Sequence, residues 1–279
     1  ATDYYLMDGY NDSNYPDVTP ERDGKRLIVQ PNTFNMYCHR EPRFYLTVVW
    51  NGQWFKWENR NTNFLYGQPD GGPTHDAPQN GYLNRSRVSL DYIPRDNNHP
   101  YRPAIIFRMA EAYLSYAEAL NESSERMSHK QEILDNLNKI RHRAGIAEYG
   151  TGTDENGFTR IKINFSDQKE VRRLIHKERR VEFVGEGVRY HDLRRWKTAH
   201  YGIGNLNEQG ENPDWGVNGP DYGMNYYGTE YTDQGDNAFF KRTKYMDRVY
   251  PRKFYWYPIH QSEIDKDPTL VQGPFWLGE

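Results

Sequence analysis

The chain has 279 residues, a charged fraction of 27% and a formal net charge of −3. It can bury a core, and without a global basic field it has little to support nonspecific nucleic-acid binding through phosphate neutralisation. Its single cysteine, Cys38, rules out an intramolecular disulfide, and no apolar stretch approaches the ~18 residues of a membrane-spanning helix.

Residues 1–103 are rich in Asn, Gly, Pro and aromatics, and their clearest element is FYLTVVWNGQWFKWE. Asn51-Gly52 predicts a two-residue hairpin turn with positive φ at both positions. In that register Val49 faces Trp54 and Leu46 faces Trp57. A core face then carries Phe44, Leu46, Val48, Trp50, Phe55 and Trp57, and Trp54 falls on the wetter face beside Lys56. Such a ring either covers a neighbouring segment or offers itself to a ligand. Asn59, Arg60 and Tyr66 follow in the same run and could add hydrogen bonds and a second ring. The alternative platform lies among Trp215, Tyr226 and Tyr227 or in a part of the protein outside this sequence. Tyrosine outnumbers phenylalanine, 23 to 12, so much of the aromatic mass has a polar handle, as a wet binding surface needs.

Residues 104–199 read as a helical scaffold. Apolar groups at 105, 109, 113, 116 and 120 predict a helix from Ile105 to about Asn121, slimmed by alanines for a close neighbour. A second helix is expected from a Ser128-x-x-Gln131 capping box to a stop at Gly145, which would complete an αα-hairpin of tetratricopeptide size. A third is expected from an Asp167-x-x-Glu170 cap to about Val184, interrupted at Gly185-Glu186-Gly187 and resumed from Arg189 to Ala199. Residues 200–279 read as a long surface excursion to about 250 and a Pro-punctuated tail with one short helix at 261–266.

The block ERRVEFVGEGVRYHDLRRW, residues 178–196, is dense enough in Glu, Arg, His and Asp to resemble an active site. Glu178, Glu182 and Glu186 recur every four residues on one stripe, with Arg179 and Arg189 in reach of Glu182. The ~6 Å step between them matches paired glycosidase carboxylates. A general acid, however, must keep its proton near neutral pH, and neighbouring guanidiniums push a carboxyl the other way. His176 and Glu178 lie on different helix faces, and no second His stands one turn on, so the spacing offers no metal site. Glu178, Arg179, Glu182 and Arg189 are therefore expected to form a structural ion-pair network. A Gly-rich phosphate loop and a Gly-x-Ser-x-Gly elbow are both missing. GQPDGGPTHDAPQNG lacks the spaced acids of a calcium loop. No catalytic residue, cofactor or metal is expected.

The strings REPRFYLTVVWNG, GYLNRSR, IIFRMAEAYLSYAEALNE, LNKIRHRAGI, IHKERRVEFVGEGVRYHDLRRW and YPIHQSEIDKDPTLVQGPF occur in series. In order and wording they resemble the carboxy-terminal half of the SusD/RagB family. Two departures stand out: Glu41 in REPR, where the family often has Asp, and Ser86-Arg87 closing GYLNRSR, where the family segment usually ends in Lys. The resemblance implies a mainly α fold of tetratricopeptide-like helix pairs, an α-α superhelix, with long irregular aromatic-rich loops and a short β-hairpin. The three segments 1–103, 104–199 and 200–279 would then be parts of one SusD-like domain lacking its amino-terminal half, since the sequence opens on ATDYY without a start methionine. The resemblance also implies a surface-exposed outer-membrane lipoprotein, held by a lipid anchor on the missing part, that binds oligosaccharide for a SusC-like TonB-dependent transporter without cleaving it. A protein-interaction scaffold and a glycoside hydrolase are the alternative classes.

Overall fold

The computed structural model describes residues 33–38, 40–55, 58–86, 88, 96–97, 101, 103–202 and 216–276. The chain divides into two compact units, Ala1–Glu186 with Tyr222–Thr243, and Gly187–Asp221 with Lys244–Glu279.

The first unit opens on α1 (Pro42–Thr47), which starts with proline at its first turn, where the missing N–H costs nothing. Strand β1 (Val48–Trp50) follows at once and pairs antiparallel with β4 (Tyr82–Asn84) in the register Val49 to Leu83. Strand β2 (Trp54–Phe55) pairs with β3 (Arg60–Asn61), Trp54 opposite Asn61. A short hairpin is thus present, but it joins β2 to β3, whereas the sequence places it at Asn51-Gly52. The physical reason lies in Asn51. Gly52 has φ of +91° but Asn51 stays out of the left-handed region, and its buried side-chain oxygen accepts the Phe64 N–H at 2.7 Å. The turn therefore sends the chain past β1 into pairing with 60–62. Trp57 lies outside the described residues.

Because 42–47 is helical, strand alternation fails there: Phe44 and Tyr45 are both buried, and Leu46 is 56% exposed. Val48, Val49 and Trp50 are all buried. Around them gathers an aromatic core with Tyr37, Phe64, Phe239 and Phe240. Phe44 stacks on Trp50 at 5.4 Å and Tyr45 meets it edge-on at 5.4 Å. The Tyr45 hydroxyl donates to the Tyr37 carbonyl at 2.8 Å, which satisfies its polar end inside the core.

The scaffold of this unit is α2 (Met109–Glu122), α3 (Lys130–Ala144) and α4 (Gln168–Glu182), with α2 packed on both others. Leu114, Ile133, Leu137 and Ile175 are fully buried, each contributing about 1.5–3 kcal/mol of transfer free energy. Helix α2 begins four residues later than its periodicity suggests. Ile105 and Met109 are 68% and 58% exposed, and the buried face is Ala110, Leu114, Ala117 and Leu120. Ala110 and Ala117 on that face allow the close approach expected of the alanines, and Leu114 and Leu120 fill it. Helix α3 starts at Lys130, not at the Ser128 box; the Ser128 hydroxyl donates to the Glu125 carbonyl at 2.7 Å instead. Its stop at Gly145, in the left-handed region at φ +68°, and the Asp167 cap of α4, whose carboxylate accepts the Lys169 and Glu170 N–H groups, match expectation.

The second unit holds α5 (Val188–Arg195), a 3₁₀ turn (Arg252–Tyr255) and α6 (Gln261–Lys266), the helix expected at 261–266. Leu193 and Ala199 are buried at its centre. The expected excursion is more structured than its composition suggests. Strands β5 (Gly219–Gly223) and β6 (Thr243–Arg248) make a two-stranded sheet, and Met224, Phe239 and Phe240 belong to the aromatic core of the first unit.

Candidate functional site

The charged block is built as a lattice. Arg43 forks onto Glu41 with two bonds of 2.8 Å and reaches Glu178 at 2.7 Å and Glu182 at 3.0 Å. Arg141, fully buried, donates to the other Glu178 oxygen at 2.8 Å and to the Ala147 carbonyl at 2.6 Å, with its guanidinium over the Tyr149 ring. Arg108 clasps Glu186 at 2.7 and 2.9 Å and also bonds Glu182, as does Arg143. Four carboxylates thus meet four guanidiniums in a seam where Glu41, Arg43, Glu178 and Glu182 are all buried. Burial alone would raise the Glu178 carboxyl, but Arg43 and Arg141 override it and hold it below the ordinary carboxylate range. Such a group keeps its charge and has no proton to give at neutral pH.

The expected residues are placed differently from their one-helix arrangement. Glu178 and Glu182 do come together, but through Arg43, Arg108, Arg141 and Arg143, which are distant in sequence. Arg179 turns to α2, donating to the Ser115 hydroxyl at 3.0 Å with Glu118 at 3.9 Å. Arg189 stands on α5, in the second unit. The REPR string carried the missing signal, since its second arginine is the hub. Among the described residues no cluster of three or more His, Cys, Asp or Glu side chains is disposed to hold a metal ion.

An aromatic cluster of the first unit is built in the opposite way. Tyr66, Tyr226 and Tyr227 converge, with ring centroids 6.0 Å apart for Tyr66–Tyr226, 5.5 Å for Tyr66–Tyr227 and 5.1 Å for Tyr226–Tyr227. Tyr227 is 70% exposed, and the other two are half-buried. The 63–74 loop is tied to the neighbouring segment by the Tyr66 N–H, which donates to the Gly228 carbonyl at 2.8 Å. Asn225 fixes the other side, its side-chain oxygen accepting the Tyr227 N–H at 3.1 Å and its amide reaching the Asp236 and Ala238 carbonyls. Gly72 leaves the space that Tyr226 fills, since a Cβ there would lie 2.6 Å from the Tyr226 ring.

Arg60 pairs bidentately with Asp70 at 2.6 and 2.8 Å. Burial pushes the Asp70 carboxyl up, yet Arg60 and the Asn63 N–H hold it below its ordinary range. That pair braces the loop bearing Tyr66. Asn59 is exposed with φ of +52°, a conformation asparagine tolerates, and it shapes the β2–β3 turn. Trp54 is half-buried on β2. Trp215 lies outside the described residues. Asp70 and Gly72 gave no sequence signal beyond loop composition.

The SusD family model matches residues 2–276. A curated relative, SusD-like protein P25 of Formosa agariphila, is 32% identical over 109 residues, an alignment covering 39% of this chain and 18% of the relative. SusD-like protein P38 of the same organism is 32% identical over 103 residues, 37% of this chain and 19% of the relative. Among solved structures, a SusD-like protein of Bacteroides fragilis superposes with a TM-score of 0.61 at 26% identity, covering 88% of this chain and 40% of that one. A second B. fragilis protein, described as a SusD-like carbohydrate-binding protein, gives 0.55 at 23% identity, covering 95% and 47%. The chain thus spans less than half the length of these structures, and shares their tetratricopeptide-like fold.

Proposed function

The chain belongs to the SusD family, and from that premise we propose that it is a noncatalytic glycan-binding protein whose first unit presents Tyr66, Tyr226 and Tyr227 as a stacking platform. The exposed, braced tyrosine cluster is the observation that supports this most directly. A tyrosine face accepts the C–H face of a sugar, and its hydroxyl, with nearby amides and hydroxyls, bonds the sugar's own. Trp54, Asn59 and Arg60 extend the platform along β2 and β3, Arg60 by holding the loop in place. The noncatalytic part rests on the arginine-clamped carboxylates of the 178–186 block, which suit an ion-pair seam and not an acid catalyst.

Delivery to a SusC-like TonB-dependent transporter, exposure at the outer-membrane surface and a lipid anchor rest on the family premise alone. No helix among the described residues is long and apolar enough to cross a membrane.

The test is retention of the protein on a glycan array, followed by incubation of each retained glycan with the protein and assay of new reducing ends. Retention without new ends is expected; turnover would overturn the noncatalytic reading. A second reading, protein docking, is favoured by the exposed apolar run of Tyr101, Ile105, Ile106 and Phe107. Failure of every glycan on the array would move the function there.

A further inference from the structure

The second unit contains a cavity of about 700 Å³ whose lining is cationic and aromatic at once. Among the described residues its charged groups are Arg194, Arg195, Lys197 and Arg252, and no carboxylate lines it. Two of the four are fixed in place. Arg194 donates to the Tyr255 carbonyl at 2.7 Å and sits 5.0 Å over the Tyr257 ring. Arg195 pairs with the buried Asp192 at 2.9 Å. Lys197 and Arg252 are exposed, and neither stands among the described ion pairs of the unit.

The aromatic walls are Tyr201, stacked obliquely on His200 with centroids 4.1 Å apart, and Trp256, 5.9 Å from Phe275. Trp256 and Phe275 are each 43% exposed. The His200 ring and backbone N–H both bond the Tyr255 hydroxyl, at 2.8 and 3.2 Å, and so hold that wall rigid.

The backbone points to the same place. Four non-glycine described residues have left-handed φ, and two are asparagines, which tolerate it. The other two are Lys197 at +55° and Phe275 at +65°, and both line this cavity. Glycine would sit there without strain. Keeping a cation and a ring at two strained positions of one cavity is the pattern of a ligand clamp, where stability is given up for function.

We propose that this cavity is a second binding site, selective for a saccharide that carries a negative charge, as a uronate carboxylate or a sulfate ester. Trp256 and Tyr201 offer ring faces to the sugar, and Lys197 and Arg252 meet the anion. The saccharide part rests on the glycan-binding reading above; the charge preference rests on the lining alone.

The test follows the tryptophan indole N–H resonances of the full chain during titration with methyl glucuronide, a monosulfated methyl glucoside, uncharged methyl glucoside and sodium sulfate. Saturable shifts are expected with one or both charged sugars, and their relative affinities tell carboxylate from sulfate ester. The uncharged sugar should bind at least tenfold more weakly. Arg252→Ala should weaken the charged sugar about tenfold, and Tyr227→Ala, in the first unit, should not affect it. Lys197→Gly should raise the melting temperature while weakening the charged sugar severalfold, a split that a purely structural lysine would not produce. No saturable shift with either charged sugar, an equal response to uncharged methyl glucoside, or unchanged affinity in Arg252→Ala would overturn the proposal. Sodium sulfate binding as tightly as the sugars would overturn its saccharide part. Retention of neutral glycans through Tyr227 is read separately, so the first-unit reading can stand or fall by itself.

Discussion

The Glu41–Arg43–Glu178–Glu182 seam and the Tyr66–Tyr226–Tyr227 cluster lie in the same unit, and both concentrate groups that could do chemistry. In the seam, Glu178 and Glu182 are buried and each is met by guanidiniums from two or more parts of the chain, and Arg43 also holds the buried Glu41. In the cluster, the rings brace one another and the loops are pinned from behind, yet Tyr227 remains 70% exposed. Dense reactive residues with mutual satisfaction hold a fold together, whereas sparse residues with an unfilled face are available to a ligand.

The contrast breaks most visibly at Glu178. Glu178→Ala takes one buried counter-charge from both Arg43 and Arg141 and should cost about 3–5 kcal/mol, read by urea unfolding, while the folded fraction keeps its glycan affinity. Lost affinity at unchanged stability would assign the seam to function.

Acid should act on the seam in the same sense. The folded Glu178 carboxyl is depressed below its unfolded value, because Arg43 and Arg141 outweigh its burial. Its contribution is therefore present above the unfolded glutamate pKa of about 4.3 and is lost as pH falls through the lower folded value. Melting temperatures recorded from pH 7 downward should decline in the parent, and Glu178→Gln, already lacking this charge, should decline less steeply. Parallel curves would mean that Glu178 carries no such linkage.

A smaller effect is expected on the other side of the comparison. Gly72→Ala places a Cβ against the Tyr226 ring and should cost about 1–3 kcal/mol as overpacking. It should also weaken glycan binding by displacing the ring, whereas a stable variant with parent affinity would remove Tyr226 from the platform.

How much of this was legible in the sequence depended on the range of the forces involved. The Asp167 cap, the Gly145 stop and the 261–266 helix are set within a few residues, and local chemistry read them correctly. The Asn51-Gly52 hairpin failed because a long-range bond to Phe64 captured Asn51. The face of α2 was misread because the buried stripe is Ala110, Leu114, Ala117 and Leu120, whereas Ile105, Met109 and Tyr116 are exposed. The seam was legible as scaffold from the clustering of Glu with Arg, but its hub, Arg43, lies 135 residues from Glu178. Tyr66 was singled out, yet its companionship with Tyr226 and Tyr227 is a tertiary fact that spacing could not supply.

Calorimetric titration of Tyr227→Ala with an oligosaccharide that retains the parent on a glycan array tests the central claim most directly. Loss of one exposed aromatic contact should weaken binding by about 1 kcal/mol, roughly fivefold, with the melting temperature unchanged. Parent affinity in this variant would contradict the account.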